Sequence, residues 1–332
     1  MKFLVFLLAM TPHLISAGEH KEVFKYNFDE FEAAVAEYPE GPTGMTLFYF
    51  PKGAQGAIDI RGGSAAVRES SSLSEENNWG SVDAIVLAGG SSYGLEASSG
   101  VMSAIQKTRK TNDFGTIPSV PSAIVFDFSG RKTLTYPDKA LGEKAFSLLK
   151  KNEVEVGKAG AGIHVKVGKY MALEKAESSG QGAAFRDIYK GIKVFVLTVN
   201  NAVGAIHGRD GQVVRGNLDP KTGKREPIYN SFGVNKAQKF KDKQNTTITI
   251  VITNADIDRP SMKRLAIMAH TSMASTIRPF HTPWDGDTLF VVSTQTQKMP
   301  KDFTVSDLGV VTSELLTQAL LRSVDAEPYP KD

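Results

Sequence analysis

Apolar, β-branched runs of strand length recur along the chain, at Thr46 to Phe50, Gly56 to Ile60, Asp83 to Ala88, Ala123 to Phe128, Val194 to Val199, Thr247 to Thr253 and Leu289 to Ser293. Gly, Pro, Asn or Asp bounds each of them, as expected where strands end and turns begin. Several are apolar at successive rather than alternate positions, the pattern of a strand covered on both faces. Between the runs the period changes to that of a helix. Pro260 to Ile277 aligns Leu265, Met268, Ala269, Ser272, Met273 and Thr276 behind a capping Asp258, and Ser306 to Val324 repeats Leu308, Val311, Leu315 and Ala319. Leu95 to Gln106 and Asp138 to Lys150 read as two further helices. The sum predicts an α/β domain rather than a β-sandwich or a helix bundle.

One stretch has no sustained apolar period. His207 to Gln244 carries Gly-Asn, Asp-Pro and Gly-Lys breakers, and between Lys221 and Lys243 it holds seven Lys or Arg against Glu226 and Asp242. A loop that long inside a compact domain is uncommon. It runs without transition into Asn245-Thr246-Thr247-Ile248-Thr249-Ile250-Val251, a polar segment meeting a buried strand.

Length and composition narrow the class. The 332 residues can bury a sizeable core, and 41% hydrophobic with 23% charged residues is the balance of a globular protein, not a disordered or multi-span one. A formal charge of +3, spread along the chain, does not suggest a nucleic-acid partner. With no cysteine, thiol nucleophiles, thiolate metal sites and disulfides are all excluded. Six scattered histidines form no pair at metal-ligand spacing, so no metal or other cofactor is expected. At the N-terminus, Lys2, the apolar run Phe3 to Met10 and the small-residue exit Ile15-Ser16-Ala17 read as an export signal cut after Ala17. The run is far shorter than the roughly 20 residues that span a bilayer. This predicts an exported protein, periplasmic or secreted, with no stable membrane association.

Three constellations could carry chemistry. Gly90-Ser91-Ser92-Tyr93-Gly94 satisfies G-x-S-x-G between a strand and a helix, the context of a nucleophile elbow with Ser92 as nucleophile, or of a turn whose amides face a ligand or cap the helix. A triad would then need His270 or His281, and His270 falls within a helical pattern where a packed histidine is the commoner explanation. Gly157 to Lys169 is glycine-lined but misses the phosphate-loop spacing, leaving Lys169 at the end of a backbone that approaches a substrate. Finally, if the peptide bond before Thr246 were cut, the free α-amine would stand beside its own hydroxyl as a built-in base, and Asp285-Gly286-Asp287 could orient the pair or be no more than a turn.

Seven stretches together resemble peptidase family S58, the family of the L-aminopeptidase D-Ala-esterase, the β-peptidyl aminopeptidases and the endo-type nylon-oligomer hydrolase. They are Ile58 to Gly63 with Arg68-Glu69, Ala88 to Leu95, Pro118 to Pro121, Gly160 to Lys169, Val199 to Gly204, Asn245 to Thr247, and Ile277 to Thr288. The resemblance implies a single-domain α-β-β-α layered sandwich of the aminopeptidase/ornithine-acetyltransferase type, processed by its own chemistry into residues 18–245 and 246–332. It implies autocleavage between Asn245 and Thr246, Thr246 as N-terminal nucleophile, and Asp285 and Asp287 as its carboxylate pair. Lys169 and Asn201 match positions that line the site, Asn201 as the oxyanion donor. Ser91, Ser92, Tyr93 and Phe126 match the substrate pocket, with Phe126 standing where some members have a tyrosine hydroxyl. The activity implied is an aminopeptidase or amidase on short peptides or small amides, in a homo-oligomer such as a tetramer. Two rivals share the residues: acyl transfer of the ornithine-acetyltransferase type, and a Ser92 serine hydrolase. A binding protein that keeps the scaffold uncut is the reading outside catalysis.

Overall fold

A computed structural model describes residues 20–77, 79–109, 113, 116–232 and 245–326. The export signal read at residues 1–17 and the segment just ahead of Asn245 lie outside the described residues. The strand-forming runs pair into one twelve-stranded sheet. Across it run Lys21–Lys25, Glu153–Gly157, Gln181–Asp187, Lys193–Asn201, Thr246–Asp256, Thr288–Lys298, Thr43–Ile60, Ser81–Ala88, Ser122–Ile124 and Val67–Arg68, with Glu32–Tyr38 alongside the long Thr43–Ile60 strand and the short Lys150–Lys151 paired to Glu32–Tyr38.

That long strand joins two halves of the sheet. Its first part pairs with Glu32–Tyr38 and Ser81–Ala88, its last part with Thr288–Lys298, and the register shifts between Tyr49 and Ala54. The sequence pattern predicts two strands here. Pro51-Lys52-Gly53 makes an irregularity with Gly53 at φ 72° instead of a turn, so the chain keeps its direction and passes from one half to the other.

The alternation of side chains sorts the core into three layers. Phe195, Leu197, Val199, Ile248, Ile250, Ile252, Phe290 and Val292 from one half meet Phe48, Phe50, Ile85 and Leu87 from the other. On the outer face of the first half, Val194, Val196, Val251, Leu289 and Val291 pack against Leu265, Ala269, Leu315 and Leu316. Met45, Leu47, Val86 and Ala88 pack against Val101, Ile105 and Leu141 on the outer face of the second. The result is the expected α-β-β-α order. The helices supplying the outer layers are α1 (Ala97–Arg109), α2 (Lys139–Ser147), α3 (Arg259–Ser272) and α4 (Val305–Arg322). Asp138, Asp258 and Thr304 accept first-turn amides at the starts of α2, α3 and α4.

Several local expectations are revised. Leu95 lies in a 3₁₀ turn, Ser91–Glu96, that precedes α1. The strand expected over Ala123 to Phe128 is Ser122–Ile124 only. His207 to Phe232 is not a free loop. Val213–Arg215 pairs with Ala205–His207, Arg215 and Asn217 are buried, and Arg225 forms a bidentate pair with Glu177 at 2.6 Å on both arms. Tertiary pairing supplies there what local periodicity lacks. Glu32–Tyr38 and Gln181–Asp187 escape prediction because their alanines and charges carry no β-branched signature.

Phe195 stands where the two halves meet, its ring centroid 4.8 Å from Tyr26 and 5.2 Å from Phe31. Phe195→Ala should cost about 3–5 kcal/mol in chemical denaturation. Val310→Ala, at a position 68% exposed, should stay within about 0.5 kcal/mol of the parent.

Candidate active site

Strand register brings the carboxylates, the threonine and the asparagine to one end of the sheet. Asn201, last in its strand, pairs antiparallel with Thr246, first in the next. That strand runs parallel to Thr288–Lys298 with Ile248 opposite Thr288, and Asn245 makes one further parallel bridge to Asp285. Asp285-Gly286-Asp287 therefore lies beside Asn245-Thr246. All four named side chains, Asn245, Thr246, Asp285 and Asp287, are buried.

The main chain at this point is clamped. The Asn245 N–H donates to Trp284 O at 3.2 Å, and the Asn245 carbonyl accepts the Gly286 N–H at 2.7 Å. The Thr246 hydroxyl donates to the same carbonyl oxygen. The Thr247 N–H donates to Asp287 Oδ1 at 2.8 Å. A β-carbon on Gly286 would come within 2.7 Å of Thr246 Oγ1, so this loop approaches the hydroxyl as closely as it does only because residue 286 has no side chain.

Asp285 accepts from Val203 N–H at 3.2 Å through one oxygen and from the Thr282 N–H and hydroxyl through the other. Burial, reinforced by the neighbouring Asp287 charge, pushes the Asp285 carboxyl up to about 7, against the pull of Thr282, Val203 and Lys169. Lys169 is buried too. Its ammonium donates to Asn201 O at 2.9 Å and to Asn201 Oδ1 at 2.8 Å, placing one positive charge within electrostatic reach of Asp285. Gly168, at φ 73°, lets this segment run against Gly216, whose Cα would lie 2.2 Å from an added β-carbon.

Thr246, Asp285, Asp287, Asn201 and Lys169 thus gather at one place. The Asn201 amide is held from both ends: Oδ1 accepts from Lys169 and from Lys166 N–H, and Nδ2 donates to Phe126 O at 2.9 Å. Phe126 meets the site through its carbonyl, while its ring lies edge-on to Phe128. The strand-turn-helix context of Ser92 is present, but Ser92 is exposed and, among the described residues, no histidine bonds to it. Tyr93 stacks on Tyr136. A cavity of about 590 Å³ opens beside the carboxylate loop, with Thr282, Trp284, Tyr170, Phe232 and Arg278 among its walls. Ser91, Ser92, Tyr93 and Phe126 do not line it. Local sequence gives no signal for this cavity, because its walls come from four separate segments. Among the described residues no three His, Asp or Glu side chains converge as a metal site would require.

The layered α-β-β-α domain has the Ntn-hydrolase fold. The sequence profile of peptidase family S58 matches residues 32–328, and the chain belongs to that family. It is 36% identical over 316 residues to the 6-aminohexanoate-oligomer endohydrolase of Agromyces sp. (strain KY5R), spanning 91% of this chain and 86% of the relative. An uncharacterized aminopeptidase of Mycobacterium bovis is 32% identical over 305 residues, 86% of each chain. The fold is shared with the L-aminopeptidase D-Ala-esterase/amidase of Ochrobactrum anthropi (TM-score 0.64, 16% identity, 90% of this chain and 85% of that one) and the beta-aminopeptidase of Burkholderia sp. (TM-score 0.60, 14% identity, 90% and 87%). The protein is a hydrolase of the Ntn fold, of the aminopeptidase and amidase type.

The raised Asp285 has a consequence for stability. In the folded chain it keeps its proton up to about pH 7, whereas in the unfolded chain it loses it near pH 4, so the folded state binds more protons and stability falls as pH rises between those values. Asp285→Asn removes the ionisable group. Thermal unfolding should show the variant gaining on the parent between pH 5 and pH 8, and a pH-independent difference would contradict the assignment.

Proposed function

We propose that the chain is a self-processing N-terminal-threonine amidohydrolase that cuts itself between Asn245 and Thr246 and then hydrolyses short peptides or small amides. The observation that carries this reading is the clamped Asn245 carbonyl. It takes the Gly286 N–H at 2.7 Å while the Thr246 hydroxyl lies against it. An amide donor already aimed at that oxygen would stabilise the negative charge that develops there when Thr246 Oγ1 attacks the adjoining carbon. The Asn245–Thr246 C–N bond then breaks, the acyl group passes to the hydroxyl as an ester, and water releases Asn245 with a new carboxylate. No α-amine exists before that step. Placement by Gly286 and by the Asp287 bond to Thr247 must do its work.

After cleavage the Thr246 amine is free to take the hydroxyl proton as Thr246 attacks a substrate carbonyl, and to return it to the departing amine. Asp285 and Asp287 keep that amine in place, and Lys169 balances their charge through its contacts to Asn201. Water then releases the acyl group. Because one relative is named for 6-aminohexanoate oligomers, linear ω-amino amides are substrates to assay beside short peptides. Residues 1–17 are read as a removable export signal and the active form as a homo-oligomer.

Mass spectrometry and a denaturing gel test the proposal together. The wild-type protein should yield two chains, the second beginning at Thr246. Thr246→Ala should remain one chain without amidase activity, Thr246→Ser should process more slowly, and Gly286→Ala should stay uncut because its β-carbon displaces the hydroxyl. Ser92→Ala should process normally and keep most of its turnover. A processed, active Thr246→Ala protein would overturn the reading.

A further inference from the structure

Two histidines sit behind the carboxylate pair, His270 buried and His281 half-buried, and the proposed mechanism uses neither. His281 grips Asp287 Oδ2 twice, through its main-chain N–H at 3.0 Å and through Nδ1 at 3.0 Å. It can do so because its backbone adopts φ 57°, a conformation uncommon for a residue with a side chain. The His281 ring stacks on Phe280, centroids 3.8 Å apart, and meets the His270 ring edge-on at 4.4 Å. His270, fully buried on α3, gives its own Nδ1 to Asp59 Oδ2 at 3.0 Å, and Asp59 is also held by Arg61 Nε at 2.6 Å and Lys263 Nζ at 3.2 Å. The Nε2 atoms of both histidines are buried without a hydrogen-bond partner.

That last pair of orphaned atoms fixes the tautomers. A proton on Nε2 of either neutral ring would be a buried donor with no acceptor, whereas a proton on Nδ1 points at a carboxylate. His281 therefore donates to Asp287, and Asp287 receives three N–H groups, from Thr247 and twice from His281. Asp285 differs in kind. One of its partners is the Thr282 hydroxyl, which can donate to the carboxylate or accept from the carboxylic acid.

We propose that His281 is a positioning residue of this site: its two N–H groups hold Asp287 as a carboxylate against the Thr247 main chain, so that Asp285 carries the proton when the pair shares one. His270, tethered by Asp59, backs the His281 ring and keeps it in place. The inference rests on the Thr246 reading above, since only then does the Asp287 charge face a catalytic amine. The charged and titratable groups around Asp287 are Asp285 on its own loop, Lys169 beyond Asp285, His270 and Lys263 from α3, and Asp59 and Arg61 from the long strand. None of these side chains donates to the Asp287 carboxylate; among the titratable side chains, His281 does.

The test is the pH profile of kcat for amide hydrolysis by the processed enzyme. His281→Phe keeps the ring, its Phe280 contact and the main-chain bond, and removes only the Nδ1 donor. With the Asp287 anion held less firmly, the Thr246 amine gives up its proton more readily, so the acidic limb should move down by up to about one pH unit, with KM nearly unchanged. His281→Asn carries an amide nitrogen at the position of Nδ1 and tolerates the same backbone, so it should restore most of the profile. A parental profile in His281→Phe, or a uniform loss at every pH that Asn does not rescue, would overturn the inference. Nitrogen-15 NMR of the wild-type protein decides independently of any variant's folding: Nδ1 of His281 should be protonated and Nε2 not at neutral pH, and the reverse would also overturn it. Thr246→Ala, run in parallel, separates the two claims, because its failure to stay uncut would sink the nucleophile assignment, while a correct Thr246→Ala with an unshifted His281→Phe sinks only the positioning role.

Discussion

Because Ile248 lies opposite Thr288 in a parallel pair while Asn201 lies opposite Thr246 in an antiparallel one, three strands end together, and everything the site contains follows from that register. A slip of one residue would turn Thr246 to the other face of the sheet and move it away from the carboxylate loop. The register is secured well away from the chemistry. Ile248, Ile250 and Ile252 are buried between the sheet halves and Val251 under the helices, so any slip would exchange apolar positions on two packed faces at once.

The site concentrates charge in a region that the same burial makes costly. Asp285, Asp287 and Lys169 are all nearly inaccessible, and the arrangement is tolerable because each polar atom has a partner drawn from a different segment: Val203 and Thr282 for Asp285, Thr247 and His281 for Asp287, Asn201 for Lys169. The elevated Asp285 expresses that cost, through burial first and through the neighbouring Asp287 charge second. Binding and positioning are thereby linked, since whatever alters one member changes the protonation of the set.

Backbone geometry serves the same end. Gly62 runs so close to the carboxylate loop that an added β-carbon would stand 2.2 Å from Asp287 N, and the Arg61 and Gly62 N–H groups donate to Asp287 O at 3.1 and 3.2 Å. The long strand that joins the sheet halves thus ends by fixing the main chain of the carboxylate loop, so the architecture and the site share one element.

By itself the sequence determined the class and much of the inventory. Strands apolar at successive positions, such as Val194 to Leu197, sit where both faces are covered, which implied an α/β domain, while the order of two sheet layers between helices came from the family resemblance. The motifs around Asn201, Asn245 and Asp285 named candidate positions because their residue types are local facts, and the strand register brings those positions together. What the tertiary structure decided is everything that depends on contacts between distant segments. The merger of two predicted strands into Thr43–Ile60, the ordering of Val213–Arg215 on Ala205–His207, and the cavity walled by Tyr170, Phe232, Arg278 and Trp284 have no local signature. Above all, the sequence offers His270 and His281 only as triad candidates, His270 with the commoner reading of a packed helix histidine, because their setting lies in Asp59, 211 residues away from His270, and in the left-handed turn that lets His281 hold Asp287 with backbone and ring together. Periodicity reports which residues are buried; only packing reports which buried groups face one another.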